Sequence, residues 1–503
     1  MFHSAKKLTA LLLAGMMLLP LASCANGKDD DKQGESTQQG TAAEEETLDP
    51  NYRTNLPNDL DFENTEVNIM CVKVDGRADE LISEKLGLGT ISDAVYERNL
   101  VVENQLKVKL VMNQVDHDSN VESESQRIVQ AGDTSVDIFT LASYKALPLA
   151  IKGIYLNLNN VEYVDTDKHY WSQDYNEIAT FGEQNMQFVG TSPAALSLFR
   201  LTYMTIFNKD LFAEQQLENL YSVVDRGEWT LDYQYKISTN VYVDSNGNSL
   251  ADEDDFYGFT SGDYCSVDGY LASSDIHFSI RDEDGVRVVN DTVLEPMVDM
   301  AEKVSKLYNS PGSFIFEGRD LDYIGKFHII DKFAEEEALM ATTQFLGVER
   351  RIGSLADIAY GIVPMPKLSK EQKQYRTFVQ DQVTAFGISS AIGDEDRQST
   401  LGAVMESIAY NSYKIVRPAY YDSAMSLRFM QDPESRQMLD LMFEVLAFDY
   451  SYYTNLGDIR GGMRTVLHTT NPNIVSNMKV WSKAAKNELL KQTKALEKLE
   501  ANN

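Results

Sequence analysis

The chain has 503 residues, of which 43% are hydrophobic and 10% aromatic, and its formal net charge is -32. A chain of this length and apolar content builds a substantial core and usually folds into two or more domains. The large negative charge disfavours nucleic acid and anionic lipid as ligands, because both would be repelled over a wide area. Neutral solutes are compatible with it, and we expect no nucleic-acid partner.

The first residues have the pattern of an export signal. Lys6 and Lys7 precede an apolar run at residues 8–21, and the segment closes on Leu-Ala-Ser before Cys24. The apolar run is too short for a transmembrane helix, and small residues stand at the cleavage point. This ending resembles a bacterial lipoprotein signal, which implies removal of residues 1–23 and a diacylglycerol anchor on Cys24. The alternative is an ordinary exported protein in which that cysteine occurs by chance.

Residues 24–55 are predicted to be a flexible acidic tether. Aspartate and glutamate stand there among Gly, Ser, Thr and Gln, and residues 25–50 contain no aromatic side chain. Such a composition cannot bury enough apolar surface to offset its ordering entropy. A lipid on Cys24 would therefore hold the folded body just off the outer face of a membrane.

Strand and helix patterns alternate after the tether. Residues 67–74 and 108–112 are predicted strands, and residues 92–106 between them have helical apolar spacing. Residues 136–141 (VDIFTL) form a further predicted strand. This rhythm predicts a parallel α/β sheet, whose ligands lie beyond the carboxyl ends of the strands. Tyr144 follows the last of these strands and therefore lies at a candidate ligand edge.

The only cysteines are Cys24, Cys71 and Cys265, so at most one disulfide can form. Cys71 lies in a predicted buried strand, and neither it nor Cys265 has a cysteine or histidine cluster around it. We predict that both are free and structural. The six histidines are scattered along the chain, which predicts no zinc site.

Several later segments resemble, in the same order, those of the ABC-transporter extracellular solute-binding proteins of family 1. Each segment is a weak match alone, whereas the ordered set is specific and covers about residues 60–460. The segments are 136–158 (VDIFTLASYKALPLAIKGIYLNL), 203–218 (YMTIFNKDLFAEQQLE), 227–232 (GEWTLD, with Thr230 as helix N-cap), 334–346 (AEEEALMATTQFL), 362–367 (IVPMPK) and 383–389 (VTAFGIS).

The resemblance implies an α/β, two-lobe periplasmic-binding-protein-like fold of type II, with parallel-rich sheets, a hinge and an interlobe cleft. The chain is then expected to cross between the lobes near residues 187–191 and to return near residues 377–385. The implied limits are residues 56–188 plus 380–412 for lobe one, 189–379 plus 413–480 for lobe two, and 481–503 for a C-terminal helix.

The same resemblance implies a function. It is that of the substrate-binding component of an ABC importer, lipid-anchored on the extracellular face of a bacterial cell membrane, which passes its solute to transmembrane permease subunits. The 26 Tyr, 21 Phe and 3 Trp favour a mono- or oligosaccharide, because aromatic faces pack against the C–H side of a sugar ring. We expect a monomer that binds its ligand without catalysing a reaction.

Candidate ligand contacts are aromatic platforms and polar groups near predicted strand ends or crossings. Each aromatic is also compatible with a place in the core, and each polar group with a solvated surface or a salt bridge. The aromatic candidates are Tyr144, Trp171, Tyr264, Phe345, Tyr420 and Tyr421, and the polar candidates are Asp263, Gln344, Arg351 and Asp381.

Residues 243–259 (VDSNGNSLADEDDFYGF) place oxygen donors at alternating positions. Calcium takes about six to eight oxygen ligands, and an EF-hand-type loop supplies them at this spacing. Ser249 stands where such a loop has glycine, at a cost of about 1–2 kcal/mol for a left-handed residue. The alternative to a structural Ca²⁺ site is an acidic surface turn. The predicted ligands are Asp244, Asn246, Asn248, the backbone carbonyl of Leu250, Asp252 and Asp255, the last in place of a bidentate glutamate.

Two other classes of function are compatible with parts of the sequence. A secreted glycan-active enzyme would use two carboxylates about 5 to 10 Å apart, and the 77 acidic residues are compatible with such a pair. The sequence has no G-x-S-x-G, H-E-x-x-H or P-loop motif. A calcium-stabilised surface adhesin would have repeats or a second loop of the calcium type, and the sequence has neither. The ordered resemblance favours the binding protein.

Overall fold

The fold was analysed in a computed structural model that describes residues 50–317, 328–351, 354–355, 357–425 and 432–501. The predicted signal peptide, Cys24 and nearly all of the predicted tether lie outside the described residues. Among those described, no helix is long and apolar enough to cross a membrane.

Strands and helices alternate along the chain. The strands are β1 (Thr65–Val72), β2 (Val108–Val115), β3 (Ile138–Ala142), β4 (Thr180–Phe181), β5 (Met186–Gln187), β6 (Tyr203–Asn208), β7 (Tyr242–Val243), β8 (Phe256–Tyr257), β9 (Phe259–Gly262), β10 (Ser279–Arg281), β11 (Arg287–Val289), β12 (Ser313–Phe316), β13 (Met340–Gln344), β14 (Tyr360–Pro364), β15 (Thr377–Phe378), β16 (Thr384–Ile388) and β17 (Leu446–Ala447). The helices are α1 (Thr90–Leu106), α2 (Asp118–Ala131), α3 (Ser143–Ile151), α4 (Gln173–Ala179), α5 (Ser197–Arg200), α6 (Lys209–Glu214), α7 (Leu220–Asp225), α8 (Leu231–Ser238), α9 (Asp268–Ser273), α10 (Leu294–Tyr308), α11 (His328–Ala334), α12 (Phe345–Arg350), α13 (Glu395–Asn411), α14 (Arg417–Met425), α15 (Pro433–Glu444), α16 (Tyr450–Thr454), α17 (Ile459–Leu467) and α18 (Ile474–Glu500).

Sheet one has the strand order β16-β3-β1-β2. Strand β1 runs parallel to β2 and β3, whereas β16 is antiparallel to β3. Successive side chains of β1 point to opposite faces. Ile69 packs in a core with α1 and α13, and Met70 packs in the core that includes α2 and α3. Sheet one is therefore covered by helices on both faces, as a parallel sheet requires.

Sheet two has the order β12-β9-β13-β6-β14. Strands β12, β9 and β13 are parallel, and β6 runs antiparallel to both β13 and β14. Every residue of β6, β9, β13 and β14 is buried. The predicted N-cap is confirmed at α8, since the Thr230 hydroxyl accepts a hydrogen bond from the backbone N–H of Tyr233 at 3.2 Å.

The strands of sheet two lie between β3 and β16 in the chain, so the polypeptide leaves sheet one and later returns to it. The outgoing and returning segments run side by side, and Gly190 and Phe386 exchange backbone hydrogen bonds of 3.1 and 2.9 Å. Strand β15 on the returning segment pairs with β17, which adds a third chain segment beside them. These adjacent segments form the connection between a lobe built on sheet one and a lobe built on sheet two.

Buried polar side chains tie the connecting segments to the first lobe. The Thr384 hydroxyl donates to Glu80 at 2.5 Å and accepts a hydrogen bond from Nε of Arg77 at 2.9 Å. The other oxygen of Glu80 accepts from the backbone N–H of Ser197 at 2.6 Å. Burial raises the pKa of Glu80. One carboxyl group therefore links the chain after β1 to both the outgoing and the returning segment.

Cys71 and Cys265 are both buried and free, which confirms the prediction made for them. Burial raises the pKa of the Cys71 thiol to about 12. Since the thiolate is the reactive form, this environment makes Cys71 inert and assigns it a packing role.

Candidate functional site

The carboxyl ends of strands from both sheets meet at the returning segment. After β3, the backbone N–H of Tyr144 donates to the carbonyl of Asp381 at 3.0 Å. At the end of β13, the Gln344 amide donates to the side chain of Gln380 at 3.0 Å. In a parallel α/β sheet, strand ends of this kind form the ligand edge. Residues 380 and 381 therefore lie where the two ligand edges converge.

A cluster of aromatic rings, carboxylates and guanidinium groups occupies this meeting point. Arg464 lies over the Tyr264 ring, with its guanidinium carbon 4.0 Å from the ring centroid. Its Nε donates to Oδ1 of Asp268 at 2.8 Å, and the Tyr452 hydroxyl donates to the same carboxylate. Arg460 forms an ion pair with Asp381. We call the following set the cleft cluster: Tyr264, Asp268, Gln344, Gln380, Asp381, Tyr452, Arg460 and Arg464.

The charges of the cleft cluster are held in a poorly solvated environment. Burial raises the pKa of Asp268, although its ion pair with Arg464 opposes that shift. Burial lowers the pKa of Arg460, and the neighbouring Arg464 charge lowers it further. For Arg464 the cost of burial is outweighed by Asp268, so its pKa is raised. Both arginines remain cations and keep their full set of hydrogen-bond donors.

The cleft cluster combines groups that recognise hydroxyl-rich molecules. Guanidinium groups donate, carboxylates accept, and tyrosine rings offer flat apolar faces with a polar edge. Such groups, partly desolvated, give orientation and specificity to a small polar ligand. Of the predicted contacts, Tyr264, Gln344 and Asp381 belong to the cleft cluster. Tyr144 reaches it through its backbone hydrogen bond to Asp381, and Asp263 directly precedes Tyr264 after β9.

Phe345 and Tyr420 form a separate aromatic group. Both are only 1% exposed, and their ring centroids are 6.1 Å apart. Tyr420 also stacks on Phe199 at 5.0 Å, and its hydroxyl donates to Glu349. Burial raises the pKa of Tyr420 well above its ordinary value. The faces of these rings are covered by protein atoms in this conformation.

The structure places the remaining predicted contacts apart from the cleft cluster. Trp171 is 2% exposed inside the sheet-one lobe, where its indole N–H donates to Glu406 at 3.0 Å. Nε of Arg351 donates to Asp331 at 2.8 Å. The Tyr421 hydroxyl donates to Asp440 at 2.6 Å on the protein exterior. These three positions have packing or surface contacts of their own.

The similarity of this chain to known proteins lies in its three-dimensional fold. No protein-family model matches the chain, and no curated protein matches its sequence. Solved structures do match in three dimensions. A sugar transporter from Rhizobium etli in an open conformation aligns with a TM-score of 0.55 and 11% identity, over 84% of this chain and 99% of that one.

Two further structures give the same result. The maltose/maltodextrin-binding domain MalE from Bdellovibrio bacteriovorus, bound to maltotriose, aligns with a TM-score of 0.52 and 12% identity over 84% of this chain and 100% of that one. The apo-form of RafE from Streptococcus pneumoniae aligns with a TM-score of 0.51 and 15% identity over 84% and 98%. The chain has the type II periplasmic-binding-protein fold. The predicted fold class is thereby confirmed.

Within this periplasmic-binding-protein fold, several members of the cleft cluster were missed by sequence reasoning: Asp268, Gln380, Tyr452, Arg460 and Arg464. One feature of the sequence could have indicated the two arginines. Arg460 and Arg464 are four residues apart in the helix register and therefore share a face, directly after the aromatic-rich segment 448–454. Their acidic partners lie far away in the chain, and no local pattern could have paired them.

The predicted calcium loop is a closed turn between β7 and β8. Gly247 and Ser249 both have left-handed backbone conformations, with φ of 70° and 62°. The Asp244 carboxylate accepts from the backbone N–H groups of Asn248 and Ser249 at 3.2 and 2.9 Å. Ser249 thus occupies the strained conformation for which such loops use glycine.

The side-chain amides of two loop asparagines converge on Asp252. The amide nitrogens of Asn246 and Asn248 donate to this carboxylate at 3.3 and 2.6 Å. Asp255 is buried and accepts from the Tyr242 hydroxyl at 2.9 Å. In the described part of the chain, no group of three or more His, Cys, Asp and Glu side chains is placed to hold a metal ion. A cation in this loop would therefore need its amide and backbone oxygens as ligands.

Proposed function

We propose that the protein is the carbohydrate-binding component of an ABC importer. It captures a mono- or oligosaccharide between its lobes and delivers it to transmembrane permease subunits. The cleft cluster carries the proposal, because it sets two arginines, two carboxylates and tyrosine rings where both ligand edges converge. One protein of the same fold is the maltose/maltodextrin-binding domain that was solved with maltotriose.

Binding and transport are coupled through lobe closure. A ligand that contacts both lobes binds the closed arrangement better than the open one and shifts the population towards it. Gln344 belongs to the second lobe, Tyr144 to the first, and Asp381 to the returning segment between them, so one sugar can contact all three parts. A micromolar affinity, about 8 kcal/mol, is sufficient for capture and still permits release.

The export signal and its ending, which resembles that of a bacterial lipoprotein, support an extracellular location. A diacylglycerol on Cys24 anchors the receptor to the extracellular face of the membrane beside its permease, and the acidic segment after it provides reach. Growth with a labelled fatty acid should label the unaltered protein and leave Cys24→Ser unlabelled. Absence of label from the unaltered protein would contradict the lipid anchor.

A structural Ca²⁺ ion belongs to the same proposal. Carboxylate, amide and carbonyl oxygens are the ligands that this cation prefers. Asp244, Asn246, Asn248, Leu250 through its carbonyl, Asp252 and Asp255 would hold it, since rotation of the two asparagine amides presents their oxygens where their nitrogens now reach Asp252. The bound cation would neutralise the clustered carboxylates and stiffen the hairpin.

A ligand screen tests the carbohydrate assignment. The purified protein is titrated with mono- and oligosaccharides, amino acids and peptides, with tyrosine and tryptophan emission and the thermal midpoint as readouts. We expect one class of saccharide to change the emission and raise the midpoint. Responses confined to amino acids or peptides would overturn the carbohydrate assignment, and catalytic cleavage of a glycan would favour an enzyme instead.

A further inference from the structure

A groove on the lobe built on sheet two lies apart from the cleft cluster. It has a volume of about 650 Å³ and lies between α7, the segment that joins β14 to β15, and α15. No member of the cleft cluster belongs to these three segments. We call it the α15 groove, and its polar lining includes Asp225, Lys367, Lys373, Tyr375, Arg436 and Asp440.

Lys367 is the buried cation of the α15 groove. The residue is 4% exposed, and its Nζ lies 5.3 Å from the centroid of the Tyr375 ring. Its backbone exchanges hydrogen bonds of 3.1 and 2.9 Å with Trp229 and Leu231. Gly227 lies against the ammonium group, because a Cβ atom built on this glycine would be 3.3 Å from Nζ. The protein therefore fixes the position of this charge.

The charge of Lys367 has no direct counter-ion in the protein. Its Nζ donates to the carbonyl of Gln372 at 2.9 Å, which uses one of its three N–H groups. It forms no ion pair with any carboxylate among the described residues. Burial lowers the pKa of Lys367, and the more distant charge of Glu371 offsets this only in part. Since a buried cation without an anion is costly, a negatively charged ligand would stabilise it.

Lys373 and Arg436 add two cations to the lining of the α15 groove. Both are exposed, and within the part of the chain that the structure describes neither forms an ion pair. Acidic residues outnumber basic ones by 77 to 45 in this chain, so a shortage of carboxylates does not explain the unpaired cations. Ammonium and guanidinium groups supply only hydrogen-bond donors, and three of them around one groove suit an oxyanion.

The carboxylates of the α15 groove determine which oxyanion fits. Asp225 accepts from the side-chain amide of Gln437 at 2.9 Å, and Asp440 accepts from the Tyr421 hydroxyl at 2.6 Å. Glu444 is exposed at the end of α15. These negative charges repel a doubly charged phosphate more strongly than a singly charged carboxylate. A carboxylate also matches the fork of a guanidinium group.

We propose that the α15 groove is a second binding site, for a small organic acid whose carboxylate pairs with Lys367. Lys373 and Arg436 add donors beside that carboxylate, and Val224 and Leu441 offer apolar surface to the carbon skeleton. All of these residues belong to the lobe built on sheet two. The site therefore depends neither on the carbohydrate assignment nor on how the two lobes are arranged.

NMR titration with acetate tests the α15 groove. The lysine ε-methylene groups are isotope-labelled, and acetate replaces chloride at constant ionic strength. The signal of Lys367 is the one missing from Lys367→Met. We expect acetate to shift this signal with saturation and to raise the pKa of Lys367, because a nearby anion favours the charged form. Lys370→Met is the matched control, since Lys370 is exposed and pairs with Glu228 at 2.8 Å, and it should bind acetate as the unaltered protein does.

A second variant covers the case in which Lys367→Met does not fold. Arg436→Gln changes an exposed side chain and should lower the affinity for acetate about tenfold, as expected for loss of a charged hydrogen-bond donor. A Lys367 signal that acetate leaves unchanged would overturn the site, and tighter binding of inorganic phosphate would overturn the carboxylate class. Saccharide binding should be the same in Arg436→Gln and the unaltered protein, so failure of this site and failure of the carbohydrate assignment are separate results.

Discussion

Arg464 stacks on Tyr264 and at the same time donates to Asp268, with the guanidinium carbon 4.0 Å from the ring centroid and Nε 2.8 Å from Oδ1. The arginine belongs to α17, and its partners lie at the end of β9 and the start of α9. A single side chain thereby fixes the position of both an aromatic face and a buried carboxylate. The C-terminal part of the chain completes the ligand edge of sheet two.

Substituting Arg464→Ala should weaken saccharide binding and destabilise the fold. The change leaves Asp268 buried without its cation, which costs about 3–5 kcal/mol, and it removes the group that orients Tyr264. Arg464→Lys keeps the charge but loses the bidentate geometry and the planar stacking, so it should retain more stability than affinity. Calorimetric titration with the saccharide found in the screen and a urea unfolding curve separate the two effects.

The exposed pair of Arg226 and Glu218, joined at 2.8 Å, supplies the control. Arg226→Ala should leave both affinity and stability nearly unchanged, because exposed ion pairs contribute little. If Arg464→Lys bound the saccharide as tightly as the unaltered protein, the role assigned to the arginine in recognition would be wrong.

The calcium loop gives a second prediction. Calcium should raise the melting temperature of the unaltered protein, and Asp244→Ala should abolish the rise because it removes a carboxylate ligand. Asp254→Ala is the matched control, since Asp254 lies in the same loop but outside the predicted ligand set. Equal calcium responses in all three proteins, measured by differential scanning calorimetry, would remove the site assignment and leave an acidic turn.

Local patterns predicted the secondary structure well. Apolar periodicity located β1, α1 and β2, and the capping role of Thr230 followed from its position before a helix. These features depend on neighbours within a few residues. The order of weak segment matches predicted the two-lobe arrangement because topology is encoded in the succession of elements.

The candidate site was harder to predict because it is assembled from distant segments. Asp268 and Arg464 are 196 residues apart in the chain, and Trp171 and Glu406 are 235 apart. Trp171 has the residue type of a sugar platform, yet Glu406 accepts its indole N–H inside the first lobe. Whether an aromatic side chain packs against a buried partner or lies beside the cleft depends on contacts between segments that are distant in the sequence.

His277 gives a prediction of pH dependence. Its imidazole lies 3.5 Å from an oxygen of Asp275 and 3.4 Å from one of Asp449, and hydrogen bonds to these carboxylates raise its pKa to about 10. A raised pKa means that the contribution to stability is complete below about 6.5, the ordinary value, and is lost as pH rises through about 10. The difference in unfolding free energy between the unaltered protein and His277→Gln should therefore shrink from pH 7 to pH 10.

His117→Gln is the control for this measurement, because His117 is exposed before α2 and its side chain makes no capping hydrogen bond. Its effect on stability should be small. If the difference in unfolding free energy between the unaltered protein and His277→Gln stayed constant up to pH 10, the assignment of an ion-paired imidazolium to His277 would be wrong.

Glu406 should produce a second loss of stability with rising pH, in the first lobe and at lower pH than His277. Burial raises its pKa from 4.5 to about 7, even though the Tyr170 hydroxyl and the Trp171 indole donate to it. The folded protein then binds a proton that the unfolded chain has released, so stability falls as pH rises from about 4.5 through about 7. This loss is on the order of 3 kcal/mol. The free energy of unfolding, measured with urea across this pH range, should therefore decrease. In Glu406→Gln, where the side chain cannot titrate, the decrease due to Glu406 should be absent.

The amide in Glu406→Gln can accept only one of the two side-chain hydrogen bonds, so the variant should also be less stable than the unaltered protein at low pH. Glu395→Gln, at the exposed start of the same helix, should keep the full pH dependence. The two effects can be measured separately. The slope of the unfolding free energy against pH reports titration of the buried carboxyl group. The difference in unfolding free energy at low pH reports its hydrogen bonds. An unchanged slope in Glu406→Gln would assign the decline to another group.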